Sequence, residues 1–534
     1  MDQSSHPDPQ PTSDGIDPEL APYLEAADRV DELDIVELSH DEDDAREALE
    51  ALLSASMMAG PLGADIVAEQ AIEVEEEDDP LEQAAADAVV AARVDAIYRG
   101  IIRRAPEHKF APTLDRIKRI LEWMGDPQLA YHTVHVAGTN GKTSTARMID
   151  ALGVARGYRT GRFTSPHLTS PRERISIDGA PISPEGFVRA WEDIAAFVDL
   201  VDAESVAKGG PKMSFFEVFT AMAFQAFADA PVDLGVIEVG MGGTWDCTNV
   251  LDSAVQVITP IAMDHEQWLG HTIEEIAANK AGIIRPGGIV IVGRQQPAAL
   301  AVIEERAQQL GAQVRLLGRD IDVVAIEKAV GGSLISVRTP AALYEDLYVP
   351  LLGDYQADNA ALAIAAFEAL CGGGALDPAL VERGLTSVTS PGRLELVRSS
   401  PTVLVDAAHN PHGAAALRRA LEESFTFTHL VGVFAGMADK DTEGVLGEME
   451  PILDAVVVTT LDTPRALTID QAAAVATDVF GPDNVIAAPT LPEALDAAAG
   501  EVESSTDPTA STGIICFGSV VLAGAVRDLF GLAE

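Results

Sequence analysis

The sequence predicts an α/β protein in three parts. These are a disordered acidic tail over 1–85, a central domain over 86–390 with a P-loop on a doubly wound, mainly parallel sheet, and a smaller Rossmann-like α/β domain over 391–534. Three observations carry that expectation. Strand-like and helix-like segments alternate from Thr133 onward. A glycine-bearing loop, His135 to Ser144, joins an apolar strand to a helix. The stretch Thr389-Ser390-Pro391-Gly392 then breaks the periodicity before a second α/β series begins.

The tail is defined by charge. Residues 1–90 hold 27 Asp and Glu against two Arg, a net −25 of the chain's −48, so about half of the acidity lies in one sixth of the length. Residues 1–40 mix Pro, Ser, Asp and Glu, and 73–79 are an acidic block. Like charges at that density repel, and too little apolar area is present to offset chain entropy. A transient helix near 44–58 is the local exception. Such a charge run reads as a solubilising tail, with a regulatory or partner-binding arm as the functional alternative.

The rest of the chain carries −23, which disfavours nonspecific binding to nucleic acid or anionic membrane, since both need basic surface. Cys247, Cys371 and Cys516 form no CxxC pair and no disulfide framework, as suits a reducing cytosol. No continuous apolar run reaches the length of a membrane span, so a cytoplasmic protein is expected.

An Ala/Val/Ile-rich helical pattern begins near residue 84, and Pro112 to Ile117 starts a second helix. Thr133 to Val136 reads as a strand, 142–156 as a helix and Tyr158 to Phe163 as a strand. Helices are expected at about 184–200 and 215–229, and strands at Leu234 to Val239 and Val255 to Thr259. Thr272-Ile273-Glu274-Glu275 has the capping-box pattern of a helix ending near Lys280. Beyond Gly392 the strands are Val403 to Asp406, Leu430 to Phe434, Ala455 to Thr459 and Gly513 to Phe517, with Ala-rich helices between them. In such folds ligands meet the carboxyl ends of the strands.

Five stretches place chemistry at strand or helix ends. In Gly138 to Ser144 the glycines let backbone N–H groups approach phosphate oxygens, and Lys142 supplies a cation. The strict Walker spacing needs a glycine where Val136 stands, and a loop of this composition can also be a structural turn. Thr164-Ser165-Pro166-His167 sets hydroxyls and an imidazole just past a strand, near Arg172 and Arg174; Thr-Ser-Pro is equally an ordinary turn. Glu238 ends an apolar strand, where a carboxylate is costly to bury without a cation, either magnesium or an Arg or Lys partner. Asp264-His265 ends another strand, and a hydrogen-bonded structural histidine oriented by Asp264 is the simpler reading of that pair. Lys280 closes an apolar helix, where the helix dipole alone, worth ~0.3–1 kcal/mol, accounts for a lysine.

The joint order of the motifs is more specific than any one of them. Thr139 to Lys142, Thr164 to Leu168, Phe215-Phe216-Glu217, Glu238 to Gly243, Asp264-His265 and Lys280 to Ile283 are followed by Gly353 to Gln356 with Asn359, Pro391 to Glu395 and Asp406 to Pro411. This series closely resembles the bifunctional dihydrofolate synthase/folylpolyglutamate synthase family of the Mur ligase superfamily, over about 105–534.

The resemblance implies a Mur-ligase-like ATP-binding central domain and a C-terminal glutamate-ligase domain. It implies an ATP phosphate cradle of Thr139, Asn140, Gly141, Lys142, Thr143 and Ser144. Ser165, Glu238 and His265 would belong to a magnesium shell, and Lys280 would be carbamylated to N6-carboxylysine in support of a second Mg2+. Asn359, Arg393 and Asp406 would meet adenine, phosphate and ribose, so that ATP lies between the two domains and closure completes the site. Thr113, Leu114, Asp115, Ser214, Trp245, Asp246 and Cys247 match pterin-substrate positions. His409, Lys440 and Arg465 match the incoming L-glutamate, although Lys440 and Arg465 also read as surface residues. Two stretches depart from the family pattern. Thr143 stands where many synthases have glycine, and Thr244 to Asn249 stand where the family tends to have Arg-Leu-Asp-Ala-Thr-Asn.

The implied reaction is ATP-dependent amide formation, in which Lys142, loop amides and magnesium spread charge on the γ-phosphoryl group. A carboxylate of dihydropteroate or of a reduced folate's terminal glutamate becomes an acyl phosphate, which the glutamate amine attacks. His409 or a carboxylate near Asp406 would take the proton, and Lys142, Lys280, His265 and His409 form the catalytic set. A monomer acting on small molecules, with no nucleic acid or membrane partner, is expected. Two other readings compete. A Mur-type UDP-muramoyl peptide ligase shares the loop and the chemistry but usually has a folded N-terminal domain where this chain has its tail. A non-catalytic nucleotide switch or scaffold is the other, and Asn279-Lys280-Ala281-Gly282 lacks the Asp of a guanine-reading Asn-Lys-x-Asp.

Overall fold

The computed structural model describes residues 80–104, 113–505, 508 and 511–532; residues 1–79 of the acidic tail, with the helix expected near 44–58, lie outside the described residues, and residues 80–85, expected to be disordered, instead begin the first helix. Two helices come first, α1 (Pro80–Ile102) and α2 (Asp115–Trp123). The central domain continues through β1 (His132–Ala137), α3 (Lys142–Arg156), β2 (Thr160–Phe163), β3 (Ile175–Ile177), β4 (Ala180–Pro181), α4 (Pro184–Ala207), α5 (Phe215–Asp229) and β5 (Leu234–Glu238). It is completed by β6 (Val255–Ile258), α6 (Glu266–Leu269), α7 (Ile273–Lys280), β7 (Ile289–Val292), α8 (Pro297–Leu310) and β8 (Gln313–Leu316). The eight strands run in the order β4-β3-β2-β5-β1-β6-β7-β8, parallel from β2 to β8 with β3 and β4 antiparallel at one edge.

A parallel sheet is stable only with both faces covered, so its strands must be apolar on both sides. Val134, Val136, Val236, Ile237 and Val257 meet that demand and are fully buried. On one face Val134, Val136, Val236 and Val257 pack against Met148, Ile149 and Leu152 of α3 and the Ala-rich α9 (Tyr355–Leu370). On the other, Phe163 and Ile237 pack against α4 and α5 through Phe187, Phe219 and Phe224. Because β1 lies between β5 and β6, the loops leaving β1, β5 and β6 converge at one end of the sheet.

Between β8 and α9 the chain forms a three-stranded antiparallel sheet of β9 (Asp322–Ala329), β10 (Gly332–Arg338) and β11 (Leu343–Val349), which the sequence reading did not anticipate. Most β9 side chains are exposed or half-buried, so they show no clean alternation to detect. After α9 and α10 (Pro378–Thr386) the second domain begins. It comprises β12 (Glu395–Ser399), β13 (Thr402–Val405), α11 (Pro411–Ser424), β14 (His429–Phe434), α12 (Thr442–Met449), β15 (Ala455–Val458), α13 (Ile469–Phe480), β16 (Val485–Ala487), α14 (Leu491–Ser504), β17 (Thr512–Phe517) and α15 (Val520–Leu529). Its sheet has the order β12-β13-β17-β14-β15-β16, parallel except for β12. Among the described residues no helix is long and apolar enough to cross a membrane.

Candidate active site

The loop after β1 is built by two glycines. Gly138 has φ +147°, and a Cβ there would stand 1.8 Å from Thr259 Oγ1, so a side chain has no place. That close approach seats the loop on the end of β6: Thr139 N and Asn140 N donate to the Pro260 carbonyl at 3.0 and 3.3 Å. The Thr139 hydroxyl donates to Ala262 O and accepts from Ala262 N, both at 3.1 Å. Gly141 has φ +86°, and a Cβ on it would meet Asn359 Oδ1 at 2.6 Å, which brings α9 against the start of α3.

Lys142 opens α3, and its Nζ donates to Gly138 O (3.2 Å) and Thr139 O (3.1 Å). Lys280, buried at the end of α7, donates to the same Gly138 O at 2.7 Å. Burial, and then the charge of Lys142, lowers the Lys280 ammonium to about 7. Burial lowers Lys142 as well, against the opposing pull of Glu238 and Asp264. Thr143 donates to both carboxylate oxygens of Glu238 at 3.0 Å, and Ser165 N lies 3.4 Å from Glu238 Oε2. Burial raises the Glu238 carboxyl, and Lys142 and the Thr143 hydroxyl work against that rise.

The opposite wall comes from the second domain. Asp406 is buried and accepts from Leu394 N and Ala408 N, both at 2.7 Å. Arg393 lies in the same cavity as Thr139 to Ser144, Ser165, Glu238, Asn359, Asp406 and His409. Tyr355, Asp358 and His412 line it too and were not among the expected site residues. His412 had a detectable signal, because Asn410-Pro411 opens α11 and Asn410 caps it, placing His412 on the first turn facing the loop. Asn140 Nδ2 lies 2.8 Å from His412 Nδ1.

Asp264, anticipated only as a neighbour orienting His265, is the hub of the cross-domain contacts. Lys440 Nζ donates to its Oδ1 at 2.6 Å, Asn410 Nδ2 to its Oδ2 at 3.3 Å, and His409 Nε2 lies 3.8 Å from Oδ2. Burial alone would raise this carboxyl; the His409 and His265 rings and the Lys440 ammonium outweigh it and hold the group well below the ordinary carboxylate range. His265 lies beside Asp264, Trp268 and Lys440 in a neighbouring cavity, whereas Ser165 and Glu238 line the loop cavity. Lys440 is therefore an interdomain ion-pair partner and not a surface lysine. Arg465 is half-exposed and forks onto Asp439 at 2.8 and 2.9 Å, one residue from Lys440.

The expected pterin-side residues lie elsewhere on the central domain. Thr113 and Asp115 line a shallow cavity with Arg116 and Lys208, while Leu114 packs on the core under α4 and α5. Ser214 caps α5 in a capping box with Glu217. Asp246 is sealed, accepting from Met241 N at 2.9 Å and Thr248 N at 3.0 Å. Cys247 is buried against Thr220, and Trp245 is half-buried against the core around α7.

The donor set around Glu238 fits Mg2+. One buried carboxylate and the hydroxyl-bearing Thr143 and Ser165 face a cavity large enough to open onto the loop's amides. Among the described residues no three His, Cys, Asp or Glu side chains are grouped to hold an ion by themselves. Mg2+ needs no such cage, because it is commonly held through one or two carboxylates with substrate phosphates and water.

Residues 215–367 match the Mur ligase middle domain, and residues 392–519 match the Mur ligase, glutamate ligase domain. The dihydrofolate synthase/folylpolyglutamate synthase of Mycobacterium tuberculosis is 49% identical over 448 residues, covering 80% of this chain and 92% of that protein. The Bacillus subtilis protein of the same name is 37% identical over 359 residues, covering 66% and 82%. Among solved structures, Mycobacterium tuberculosis folylpolyglutamate synthase complexed with ADP matches with a TM-score of 0.80 at 47% identity, over 83% of this chain and 99% of that one. Escherichia coli FolC in complex with DHPP and ADP matches with a TM-score of 0.71 at 27% identity, over 83% and 98%. The motif series, the two-walled cleft and these likenesses together place the chain in the dihydrofolate synthase/folylpolyglutamate synthase family, the ATP-dependent glutamate ligases of folate metabolism within the Mur ligase superfamily.

Proposed function

We infer that this ligase adds L-glutamate to the carboxylate of dihydropteroate, of a reduced folate's terminal glutamate, or of both, through an acyl phosphate formed between the two α/β domains. The observation that carries this is the cleft itself: Lys142, Thr143, Ser165 and Glu238 on one wall face Arg393, Asp406 and His409 on the other. Two related solved proteins are complexes with ADP, one of them with DHPP as well, which supports reading this cleft as a nucleotide site.

Loop amides from 141–144 and the Lys142 ammonium bind the β- and γ-phosphates, and Lys142 leaves its two carbonyl partners to do so. Glu238, Thr143 and Ser165 would hold a magnesium ion, which would supply charge stabilisation to the phosphate oxygens. Arg393 takes phosphate charge, and Asp406 and Asn359 orient ribose and adenine. The acceptor carboxylate attacks the γ-phosphorus and ADP leaves; the glutamate amine then attacks the acyl carbon and phosphate leaves. His409, hydrogen-bonded at Nδ1 to Ala407 O (2.9 Å), offers Nε2 for the amine's proton. With both walls in contact, water is kept from the acyl phosphate.

Lys280 supports carbamylation. With its ammonium lowered to about 7, a neutral amine is available near neutrality to attack CO2, forming a C–N bond and releasing one proton. A carbonyl carbon signal from 13C-labelled bicarbonate that vanishes in Lys280→Ala tests this, and a signal that persists refutes it.

The deciding experiment offers purified protein ATP, magnesium and L-glutamate with dihydropteroate, a reduced folate or a UDP-muramoyl substrate in separate reactions, and identifies products by mass. Glutamylated pteroate or folate, lost in Lys142→Ala, is the expected result. Glutamate addition undiminished in Lys142→Ala, or product from the muramoyl substrate alone, overturns the assignment.

A further inference from the structure

The turn after β2 has two sides. Ser165 and Pro166 line the nucleotide cavity, but His167 points into a separate cluster behind it. Arg174 Nε donates to His167 Nδ1 at 2.8 Å, and Tyr98 Oη on α1 lies 3.3 Å from His167 Nε2, with the two rings edge-to-face at 5.5 Å. A guanidinium N–H can only donate, so Nδ1 is an acceptor, and the neutral ring carries its proton on Nε2, directed at the tyrosine oxygen.

Arg174 is itself fixed from two directions. Its guanidinium lies over the rings of Phe215 and Phe219 at 5.6 and 5.3 Å, at the start of α5. It also ends the short helical turn Pro171–Arg174, whose Glu173 carboxylate accepts from Leu168 N, Thr169 N and Ser170 N at 2.7–2.9 Å. Tyr98 meets Phe219 as well, with centroids 6.4 Å apart. Residues from α1, α5 and the strand edge thus converge on one imidazole that is two positions from Ser165.

We propose that the Tyr98–His167–Arg174 cluster is a positioning unit for magnesium-nucleotide binding, which sets the Ser165–Pro166 turn against Glu238, where Ser165 N lies 3.4 Å from Glu238 Oε2. The proposal rests on the reading that this cleft binds magnesium-ATP. His167 touches none of the reacting groups; it acts through Ser165. Partners behind a metal-holding group commonly change metal affinity about 10–100-fold when removed. A cluster serving only to fill space would change stability and leave the magnesium dependence alone.

The test compares wild type, Tyr98→Phe, His167→Asn and His167→Leu. Calorimetry measures ADP affinity with Mg2+ and with EDTA, and the thermal midpoint is recorded for each protein. His167→Leu is expected to weaken ADP binding about tenfold with Mg2+ and by less than about twofold in EDTA. His167→Asn, which keeps an acceptor for Arg174, recovers most of the loss, and Tyr98→Phe falls between it and wild type. Equal losses in Mg2+ and EDTA, or an Asn variant no better than the Leu variant, overturn the proposal. Wild-type protein whose ADP affinity ignores Mg2+ overturns the cleft reading itself, a separate and recognisable failure.

Discussion

Replacing Asp264 by alanine tests whether the two-walled site depends on a single buried ion pair. The Asp264–Lys440 contact is 2.6 Å, with the side chains only 9% and 13% exposed, so little water screens it. At an effective dielectric of about 20, charges at that distance attract by roughly 6 kcal/mol before desolvation is counted. Removing one partner of a buried pair typically costs about 3–5 kcal/mol, because the other charge stays buried alone. Here the two partners come from different domains, so an opened cleft lets Lys440 rehydrate, and the cost falls on closure more than on folding of either domain. A penalty of about 3 kcal/mol corresponds to roughly a hundredfold loss in the closure constant. The assay is glutamate-ligase kcat/KM beside small-angle scattering with a non-hydrolysable ATP analogue. Asp264→Ala should lower kcat/KM about a hundredfold and leave the protein extended. Lys440→Met in the Asp264→Ala background should add much less than it does alone. Additive losses from the two substitutions, or an Asp264→Ala protein that closes normally, refute the reasoning.

Three further outcomes follow from named contacts. Gly138→Ala forces a side chain into Thr259 Oγ1 at 1.8 Å with the backbone at φ +147°; calorimetry should show a stability loss of at least about 1–3 kcal/mol together with lost ADP binding, and an unchanged thermal midpoint disproves the seating of the loop. Thr143→Val removes the hydroxyl shared by both Glu238 oxygens; magnesium-ADP affinity should fall about tenfold and return in Thr143→Ser, whereas equal affinity for all three proteins rules the contact out. His135 is buried, with Nε2 2.9 Å from Thr248 Oγ1, and burial, then Arg285, lowers its ring from 6.5 to about 3. The unfolded chain therefore takes up a proton that the folded protein refuses, so this contribution is fully present above pH 6.5 and is lost as pH falls toward about 3. His135→Gln should flatten the stability-versus-pH slope in that window by about 1.4 kcal/mol per pH unit, measured by urea unfolding, and an unchanged slope counts against a buried neutral ring.

Much of the site was readable because its pieces are contiguous. Gly138 to Lys142 are consecutive residues between β1 and α3, and an apolar run, glycines and a lysine in that order announce a phosphate loop without knowledge of the fold. Parallel strands buried on both faces give unbroken apolar runs, which is why β1, β5, β6, β13, β14 and β17 stand out. The antiparallel sheet over 322–349 escaped notice because exposed β9 side chains carry no pattern. Lys440 and Arg465 looked alike as surface cations, but only the first reaches across to Asp264, while the second pairs with Asp439 beside it.

The loop at 135–144 shows where that division falls. By itself the sequence determined a glycine-bearing turn, the strand and helix flanking it and, through the ordered motifs, the ligase family, because local backbone geometry and burial depend on near neighbours along the chain. Only the tertiary structure decided which groups share the cleft: Asn359 against Gly141, Asp264 against Lys440, Tyr98 and Arg174 on His167. Those partners are separated by many residues in sequence, except Arg174 from His167, and they meet only after the sheets have closed and set the helix positions to within a few tenths of an ångström. Distances at that scale decide whether two charges pair or miss, and no pattern along the chain encodes them.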